Sequence, residues 1–224
     1  KFNRILRTSK KKNKIVAGLI CKGTLETKKK NKKKSSDGTI LRSYFIKEFL
    51  NLIPKKSKII STTGYTSREL MQIRTETKNE KGSDFYMVGG MGHTSSVATG
   101  YAMMSNSKVF CLDGDGSMLM HLGSLRTIGF LKKNNLKYIV LNNNSHESVG
   151  GQKTTASGID FYKLGISLGF KKIFRISKKN QIKKFLKMFI KSQGSNLLEV
   201  KIKNQSLKNL IRPKNLIEIK KNFM

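Results

Sequence analysis

Short apolar runs alternate with segments of helical spacing along most of this chain. Largely apolar runs of four to seven residues predict strands at 58–62, 85–88, 109–112, 137–141, 171–176 and 196–202. Apolar residues that recur every three or four positions predict helices at 40–53, 67–75, 93–104, 118–132, 160–168 and 178–192. Apolar strands separated by helices are typical of a parallel sheet covered on both faces. We therefore predict an α/β fold, a doubly wound parallel sheet with helices on both faces.

The two ends of the chain depart from this pattern. An apolar run at 14–22 predicts a further buried strand, whereas residues 25–38 are almost entirely polar and basic, as is typical of a solvated linker. We therefore interpret residues 1–24 as the end of a preceding domain and residues 39–203 as the main domain. The basic tail, residues 204–224, is expected to be a docking or surface segment.

The formal net charge of +33 raises the question of nucleic-acid binding. Lysine supplies 38 of the 46 basic residues and is spread over nearly every surface segment. Arginine, which is suited to bidentate contacts with phosphate or guanine, is scarce. We therefore favour a compositional bias with solvated faces, and keep a basic nucleic-acid-binding protein as the alternative from a different functional class.

Composition also bears on location and on cysteine chemistry. No apolar run reaches the roughly 18 to 20 residues that cross a bilayer, and no signal-peptide segment opens the chain, so we expect a cytoplasmic protein without a membrane partner. Cys21 and Cys111 are far apart, and each lies in a run predicted to be a buried strand. A disulfide framework or a zinc cluster is therefore not expected.

Four loops rich in glycine or small hydroxyl residues follow predicted strands, at 61–67, 88–93, 112–117 and 141–148. In a doubly wound sheet, loops at the carboxyl ends of strands and the free N–H groups of the helices that follow form sites for phosphate or diphosphate. A bound diphosphate is commonly bridged by Mg²⁺, which prefers oxygen ligands. Asp115 and the Asn142-Asn143 pair follow adjacent strands, and we predict that they hold one such ion.

These residues carry a family resemblance. Gly114-Asp115-Gly116, followed after 25 residues by Asn142-Asn143, resembles the metal–diphosphate signature of the thiamine diphosphate enzymes. The resemblance implies that Asp115, Asn143 and the carbonyl of Ser145 bind Mg²⁺. The cofactor-binding residues that it implies are Thr63, Gly64, Tyr65, Gly89, Gly90, Met91, Gly114, Asp115, Gly116, Ser117, Asn143 and Ser145.

Two of these residues would contact the organic part of the cofactor. The resemblance implies that the carbonyl of Gly89 accepts a hydrogen bond from the 4′-amino group of the pyrimidine. It also implies that Met91 lies between the two rings and holds the cofactor bent.

Longer stretches resemble one branch of this family. TTGYTSREL, DFYMVGGMGHTSSVATGYAM, FCLDGDGSMLMHLGSL and NNNSHESVGGQKT are similar to the carboxy-terminal half of the phosphonopyruvate decarboxylases, and the resemblance extends over roughly residues 14–203. It implies decarboxylation of 3-phosphonopyruvate to phosphonoacetaldehyde in phosphonate biosynthesis. The choice of substrate depends on this resemblance alone.

In this family the cofactor lies between two domains, usually from different subunits. The resemblance makes residues 1–24 the end of a pyrimidine-binding domain, whose glutamate activates the cofactor. We therefore expect this chain to be inactive by itself and to work in a homo- or hetero-oligomer with a pyrimidine-binding domain from another chain or a missing segment. Two alternatives are the β subunit of a two-chain sulfopyruvate-type decarboxylase, which the run at 14–22 disfavours, and a catalytically dead remnant.

The three histidines all lie in or just after the predicted cofactor loops. For His93 and His146, contact with the substrate and a structural hydrogen bond remain equal alternatives, and we name both with Met91 as candidate catalytic residues. We interpret His121 as a helix residue packed under the Gly-Asp-Gly turn. A catalytic role for Glu147 is the less favoured interpretation.

Overall fold

The computed structural model describes residues 2–21, 23–24 and 38–224. The chain divides into two compact units, residues 1–33 and 34–224. The predicted linker at 25–38 lies outside the described residues except for Gly38.

In the first unit, a helix precedes the apolar run that was expected to be a strand. Helix α1 spans Phe2–Lys12, and none of its residues is buried. Residues 14–21 have no regular secondary structure and are exposed, including Ile15 and Leu19. The predicted buried strand at 14–22 is therefore wrong over its described part, because a strand needs a neighbour for its backbone hydrogen bonds and none of the described residues pairs with it. Cys21 is consequently exposed, whereas Cys111 is buried as expected.

The second unit contains the elements that the alternating pattern predicts. Its helices are α2 (Arg42–Leu52), α3 (Tyr65–Thr77), α4 (Thr94–Met104), α5 (Asp115–Met120), α6 (Gly123–Leu131), α7 (Phe161–Ser167), α8 (Ile182–Lys191) and α9 (Leu216–Phe223). Its strands are β1 (Lys58–Ser61), β2 (Ser83–Tyr86), β3 (Val109–Gly114), β4 (Leu136–Asn142), β5 (Ser145–His146), β6 (Gln152–Lys153), β7 (Lys172–Ile176) and β8 (Asn196–Lys201). Short 3₁₀ helices occur at Glu147–Val149, Thr155–Gly158 and Lys179–Gln181.

Six of the strands form one parallel sheet in the order β2-β1-β3-β4-β8-β7. The chain moves outward from β1 to β2, then returns to β3 and continues to β4 on the other side. The direction of winding therefore reverses between β1 and β3, and in such sheets ligands bind outside the carboxyl ends of the strands at this point. The remaining two strands, β5 and β6, form a small antiparallel pair in the loop after β4.

Apolar clusters cover both faces of the sheet. Helices α2, α3 and α8 pack on one face, where the ring of Phe49 meets that of Phe110 edge-on with 5.1 Å between centroids. Helices α4, α6 and α7 pack on the other face around the buried Tyr138 and Phe161. This arrangement confirms the predicted doubly wound sheet.

One predicted helix is divided in two. The pattern predicted a single helix at 118–132 with Met118 and Met120 in its apolar face, whereas the chain turns at His121 between α5 and α6. Helix α5 begins earlier, at Asp115, directly after the last residue of β3, and its first four residues are buried. Met118 is buried, but Met120 is exposed at the end of α5, so the expectation for Met120 is wrong.

The basic tail packs against the sheet domain of its own unit through its final helix. Phe223 in α9 is buried, and its ring lies against those of Phe85 and Tyr101, with centroids 5.5 and 4.8 Å away. Among the described residues, none of the helices has the length and apolar character needed to cross a bilayer.

Candidate cofactor and metal site

A cleft opens at the carboxyl ends of β1, β3 and β4, where the winding of the sheet reverses. It is bounded by the start of α2 and by the loops that follow these strands, and Met91 contributes from the loop after β2. The lining residues are Arg42, Thr62, Thr63, Tyr65, Thr66, Met91, Gly114, Asp115, Gly116, Ser117, Leu141, Asn143, Ser145, His146, Glu147 and Ser148.

Asp115 and Asn143 are in contact inside this cleft. The backbone N–H of Asn143 donates to Oδ1 of Asp115 at 3.4 Å, and the hydroxyl of Thr154 donates to Oδ2. Asp115 is the first residue of α5 and Asn143 follows the last residue of β4, so the register of neighbouring strands β3 and β4 brings them together. Two residues that are 28 positions apart are therefore neighbours in the cleft.

The carboxylate of Asp115 is buried and forms no ion pair with the described residues. It is 1% exposed, and burial raises its pKa, while the hydrogen bonds from Thr154 and Asn143 and the nearby imidazole of His146 act in the opposite direction. None of the ion pairs among the described residues involves Asp115, although the chain has 46 lysines and arginines. A buried carboxylate without a cationic partner is costly, and a bound cation would remove that cost.

The neighbouring oxygen atoms suit a hard cation. Asn143 Oδ1 accepts the N–H of Ser145 at 3.1 Å, which leaves one lone pair of the amide oxygen for another partner. The hydroxyl of Ser145 is buried and has no hydrogen-bond partner among the described atoms. No group of three or more histidine, cysteine or acidic side chains that could hold a metal occurs in the described part of the chain. One carboxylate supplemented by amide and carbonyl oxygens is a donor set that fits Mg²⁺.

Ser117 joins three of the loops that meet at the cleft. Its hydroxyl lies 2.9 Å from Thr62 Oγ1 in the loop after β1 and accepts the N–H of Gly92 at 3.1 Å from the loop after β2. Gly116 beside it has no room for a side chain, since a Cβ there would lie 2.4 Å from Cε1 of His146 and 2.9 Å from Cγ2 of Thr154. The Gly-Asp-Gly turn is therefore held tightly between these loops.

Comparison with known proteins identifies this architecture. Residues 62–200 match the family model for the thiamine pyrophosphate enzyme C-terminal TPP-binding domain. The chain belongs to this family. It therefore carries the domain with which thiamine diphosphate enzymes bind their cofactor, and the match confirms the family predicted from the Gly-Asp-Gly and Asn-Asn residues.

Two curated relatives differ in how much of their length is matched. The chain is 35% identical over 169 residues to the phosphonopyruvate decarboxylase of Streptomyces viridochromogenes. This match covers 75% of this chain but 41% of that enzyme. It is 32% identical over 170 residues to the sulfopyruvate decarboxylase subunit beta of Methanococcus maripaludis. This match covers 74% of this chain and 86% of that subunit. The chain thus spans about two fifths of the length of the first relative and most of the second.

A solved structure supports the fold. The structure of a candidate thiamin diphosphate-dependent enzyme from Mycobacterium smegmatis superposes with a TM-score of 0.62 and 19% sequence identity, over 74% of this chain and 32% of that one. At this identity the similarity shows the thiamine diphosphate-binding fold alone.

Within this family fold, the loop after β1 touches the glycine turn after β2. Thr63 Oγ1 donates to the carbonyl of Gly89 at 2.6 Å, which leaves one lone pair of that carbonyl for another donor. Gly89 and Gly90 are exposed and have positive φ angles of 73° and 56°, a conformation that favours glycine. Thr63, Tyr65 and Met91 line the cleft, whereas Gly64, Gly89 and Gly90 lie outside its lining.

The three histidines occupy two different places. His146 lines the cleft beside Gly116. His93 and His121 are both exposed outside the lining, with 4.1 Å between their ring centroids. The expectation that His121 packs under the Gly-Asp-Gly turn is therefore wrong, because α5 ends at Met120 and the chain turns outward there.

The Asn-Asn pair is divided between two roles. The amide of Asn142 points away from the cleft lining and donates to Glu199 Oε1 on β8 at 2.9 Å. Asn143 contacts Asp115 through its backbone N–H. The two residues differ because Asn142 is the last residue of β4, whereas Asn143 lies beyond the strand and lines the cleft.

Sequence reasoning missed four polar residues at the site. Asp113 is fully buried under the turn, where it accepts the hydroxyl of Tyr138 at 2.7 Å, and burial raises its pKa. Thr154 holds Asp115, while Arg42 and Glu69 form a buried ion pair at the edge of the cleft. One signal was present: Arg42 is one of only eight arginines in a chain with 38 lysines, and arginine is preferred in buried ion pairs.

Proposed function

We propose that this chain is the diphosphate-binding half of a thiamine diphosphate-dependent 2-oxo acid decarboxylase that acts on 3-phosphonopyruvate and releases phosphonoacetaldehyde. The observation that carries the proposal is the buried Asp115 carboxylate, which forms no ion pair with the described residues and accepts the backbone N–H of Asn143 at the carboxyl edge of the sheet. The name of the Streptomyces relative supports the substrate.

In this proposal Asp115, the Asn143 side chain and the carbonyl of Ser145 would hold Mg²⁺, and the ion would bind the cofactor diphosphate. Thr63, Tyr65 and Ser117 line the same cleft and would contact the diphosphate from its other sides. When bound, thiamine diphosphate supplies the electron sink that lets a 2-oxo acid lose carbon dioxide.

The remaining residues would orient the reacting groups. Met91 would support the bent cofactor, and the free lone pair of the Gly89 carbonyl would accept its amino group. His146 lies close enough to the Gly-Asp-Gly turn to contact a bound substrate or hold a proton for the product carbon. The exposed position of His93 supports a contact with another polypeptide more than one within this cleft.

A second polypeptide or segment would complete the enzyme. We expect turnover only when a pyrimidine-binding domain is supplied. The family resemblance implies that this domain provides the glutamate that activates the cofactor. This chain alone is then expected to bind thiamine diphosphate weakly and to decarboxylate no substrate.

A second candidate function is that of a β chain in a two-chain sulfopyruvate-type decarboxylase. The observation that supports it is the similarity to the Methanococcus subunit, which is 32% identical over 170 residues. The two candidates share the cofactor and differ in the anionic group of the substrate.

Calorimetric titration of the purified chain with thiamine diphosphate tests the cofactor site. We expect measurable binding with millimolar Mg²⁺ and at least a tenfold loss when the ion is chelated. Equal binding with and without the ion would contradict the proposal.

A decarboxylation assay with 3-phosphonopyruvate, sulfopyruvate and pyruvate, after addition of a separate pyrimidine-binding domain, tests the substrate. Preference for 3-phosphonopyruvate supports the first candidate, and preference for sulfopyruvate supports the second.

A further inference from the structure

Three charged side chains form a buried network beside the cleft. The guanidinium of Arg42, the first residue of α2, lies 3.3 Å from Glu69 Oε1 in α3 and 2.5 Å from Glu147 Oε2 in the loop after β4. Their side chains are 4%, 1% and 14% exposed. The network therefore joins three elements that are distant in sequence.

The network ends on Asn143. Oε2 of Glu147, the atom that meets Arg42, also accepts a hydrogen bond from Nδ2 of Asn143 at 3.3 Å. The other end of that amide, Oδ1, accepts the N–H of Ser145. Rotating the amide by half a turn would lose both hydrogen bonds, so Glu147 and the N–H of Ser145 together determine which side of Asn143 presents its oxygen.

Glu69, one of the two partners of Arg42, has a further hydrogen bond of its own. Glu69 Oε1 accepts the N–H of Leu207 at 3.0 Å in addition to its contact with Arg42. The Nε atom of Arg42 and Oε2 of Glu69 are buried and have no partner among the described atoms. Unpaired buried polar atoms and buried ion pairs contribute little to stability or reduce it, so the network is poorly explained as a means of stabilising the fold.

Direct binding of a substrate anion by Arg42 is disfavoured by its neighbours. Two carboxylates already face the guanidinium, so the local charge available to an incoming phosphonate or carboxylate is not positive. Its contacts suit holding Glu147 in place.

We propose that Arg42 and Glu147 are positioning residues for the metal site: Arg42 fixes the Glu147 carboxylate, and Glu147 orients the Asn143 amide so that its oxygen stays available to the ion. This inference rests on the proposed magnesium site at Asp115 and Asn143. It assigns Glu147 no contact with the reacting atoms.

Uptake of Mn²⁺ in the presence of thiamine diphosphate, followed by electron paramagnetic resonance on the full chain, tests the proposal without requiring turnover. We expect E147A to weaken Mn²⁺ binding by about 10- to 100-fold, the usual range for residues that orient a metal ligand. E147Q should restore binding to within about threefold of the original chain, because its amide oxygen can still accept from Asn143 Nδ2. Rescue by glutamine distinguishes orientation of the amide from the charge of the carboxylate.

Arg74 offers a matched control for Arg42. Its guanidinium pairs with Asp84 at 2.8 and 2.9 Å, the two side chains are 13% and 5% exposed, and neither lines the cleft. R42M should weaken Mn²⁺ binding about tenfold, whereas R74M should lower the melting temperature and leave binding within about twofold.

The possible outcomes separate this inference from the proposed function. Unchanged binding in E147A, or equal losses of binding in R42M and R74M, would overturn the positioning role while leaving the metal site in place. Failure of the unmodified chain to take up Mn²⁺ with the cofactor at millimolar concentration would remove the metal site and this inference with it.

Discussion

The two ends of the parallel sheet bury charge in opposite ways. At the amino end, the ammonium of the fully buried Lys137 on β4 donates to the carbonyls of Ser192 and Gly194 at 2.6 and 2.8 Å. At the carboxyl end, Asp115 accepts hydrogen bonds from the N–H of Asn143 and the hydroxyl of Thr154, and none of the ion pairs in the described part of the chain includes it. The carbonyls of Ser192 and Gly194 hold the buried ammonium at one end, whereas the proposed ion would balance the buried carboxylate at the other.

The two ends of the sheet also differ in what surrounds a closely packed glycine. A Cβ on Gly129 in α6 would lie 1.9 Å from the carbonyl oxygen of Leu168, a backbone atom near the amino end of the sheet. A Cβ on Gly116 would meet the side chains of His146 and Thr154 at the carboxyl end. Steric strain at the first position should therefore act on stability, and strain at the second should act on the site.

The largest expected effect is that of D115N. Replacing the only carboxylate that the proposed ion would contact should weaken Mg²⁺-dependent binding of thiamine diphosphate by at least about 1,000-fold, or about 4 kcal/mol. Calorimetric titration measures this loss. D160N, at an exposed carboxylate that caps α7, is the control and should bind as the original chain does. Normal binding by D115N would mean that the two ends of the sheet do not differ as described.

The next effect is on stability alone. G129A should lower the free energy of unfolding by about 3 kcal/mol, since backbone atoms cannot move away from the new methyl group as a side chain can. Denaturant titration measures the change, and thiamine diphosphate binding should stay the same. G100A, at an exposed helical glycine whose Cβ would meet nothing within 4 Å, should instead stabilise the chain by about 0.5 to 1 kcal/mol. Loss of cofactor binding in a folded G129A variant would contradict the expectation that strain at the amino end of the sheet affects stability and not the site.

At the carboxyl end, G116A should reduce affinity more than stability. The added methyl group would displace the ring of His146 and the methyl of Thr154, the residue that holds Asp115. We expect about a tenfold loss of cofactor affinity, or about 1.4 kcal/mol, with a loss of unfolding free energy of about 1 kcal/mol. If the collision with His146 is the cause, the double variant G116A/H146A should recover part of the affinity, and strictly additive effects would exclude that cause.

The smallest effect concerns pH and the amino end. Burial first, then the nearby Lys108 and Lys171, lowers the pKa of Lys137 to about 8 from its ordinary 10.5. Between these two pKa values the unfolded chain binds more protons than the folded one, so stability should increase with pH, by about 1 kcal/mol from pH 7.5 to 9. Denaturant titrations at several pH values measure the slope. K137M should flatten it, whereas K163M, at an exposed lysine, should not.

Much of the fold was accessible from the order of apolar runs and helical segments. The predicted strands and helices between residues 40 and 202 are present with small shifts at their ends, apart from the division of 118–132 at His121. The run at 14–22 failed because apolar character alone does not supply a neighbouring strand, and residues 14–21 find none among the described residues. A buried strand forms only beside a neighbouring strand, and a local apolar run does not show whether that neighbour exists.

Part of the candidate site could also be predicted from the order of the strands and the loops that follow them. The loops that line the cleft follow predicted strands, and parallel strands place their carboxyl ends at one edge, so Asp115 and Asn143 could be brought together from sequence. The contact between the exposed rings of His93 and His121 could not be predicted from the sequence, because it depends on where α5 ends.

The sequence by itself therefore determined the doubly wound sheet and the spacing of its ligand loops, since both follow from local periodicity and from the small residues that tight turns require. Only the tertiary structure decided which residues of those loops face one another. The side chain of Asn142 meets Glu199 while that of Asn143 meets Glu147, and Arg42 reaches Glu69 and Glu147 across 27 and 105 positions of the chain. Such contacts depend on side-chain direction and strand register, which are set only when the sheet and its helices pack together.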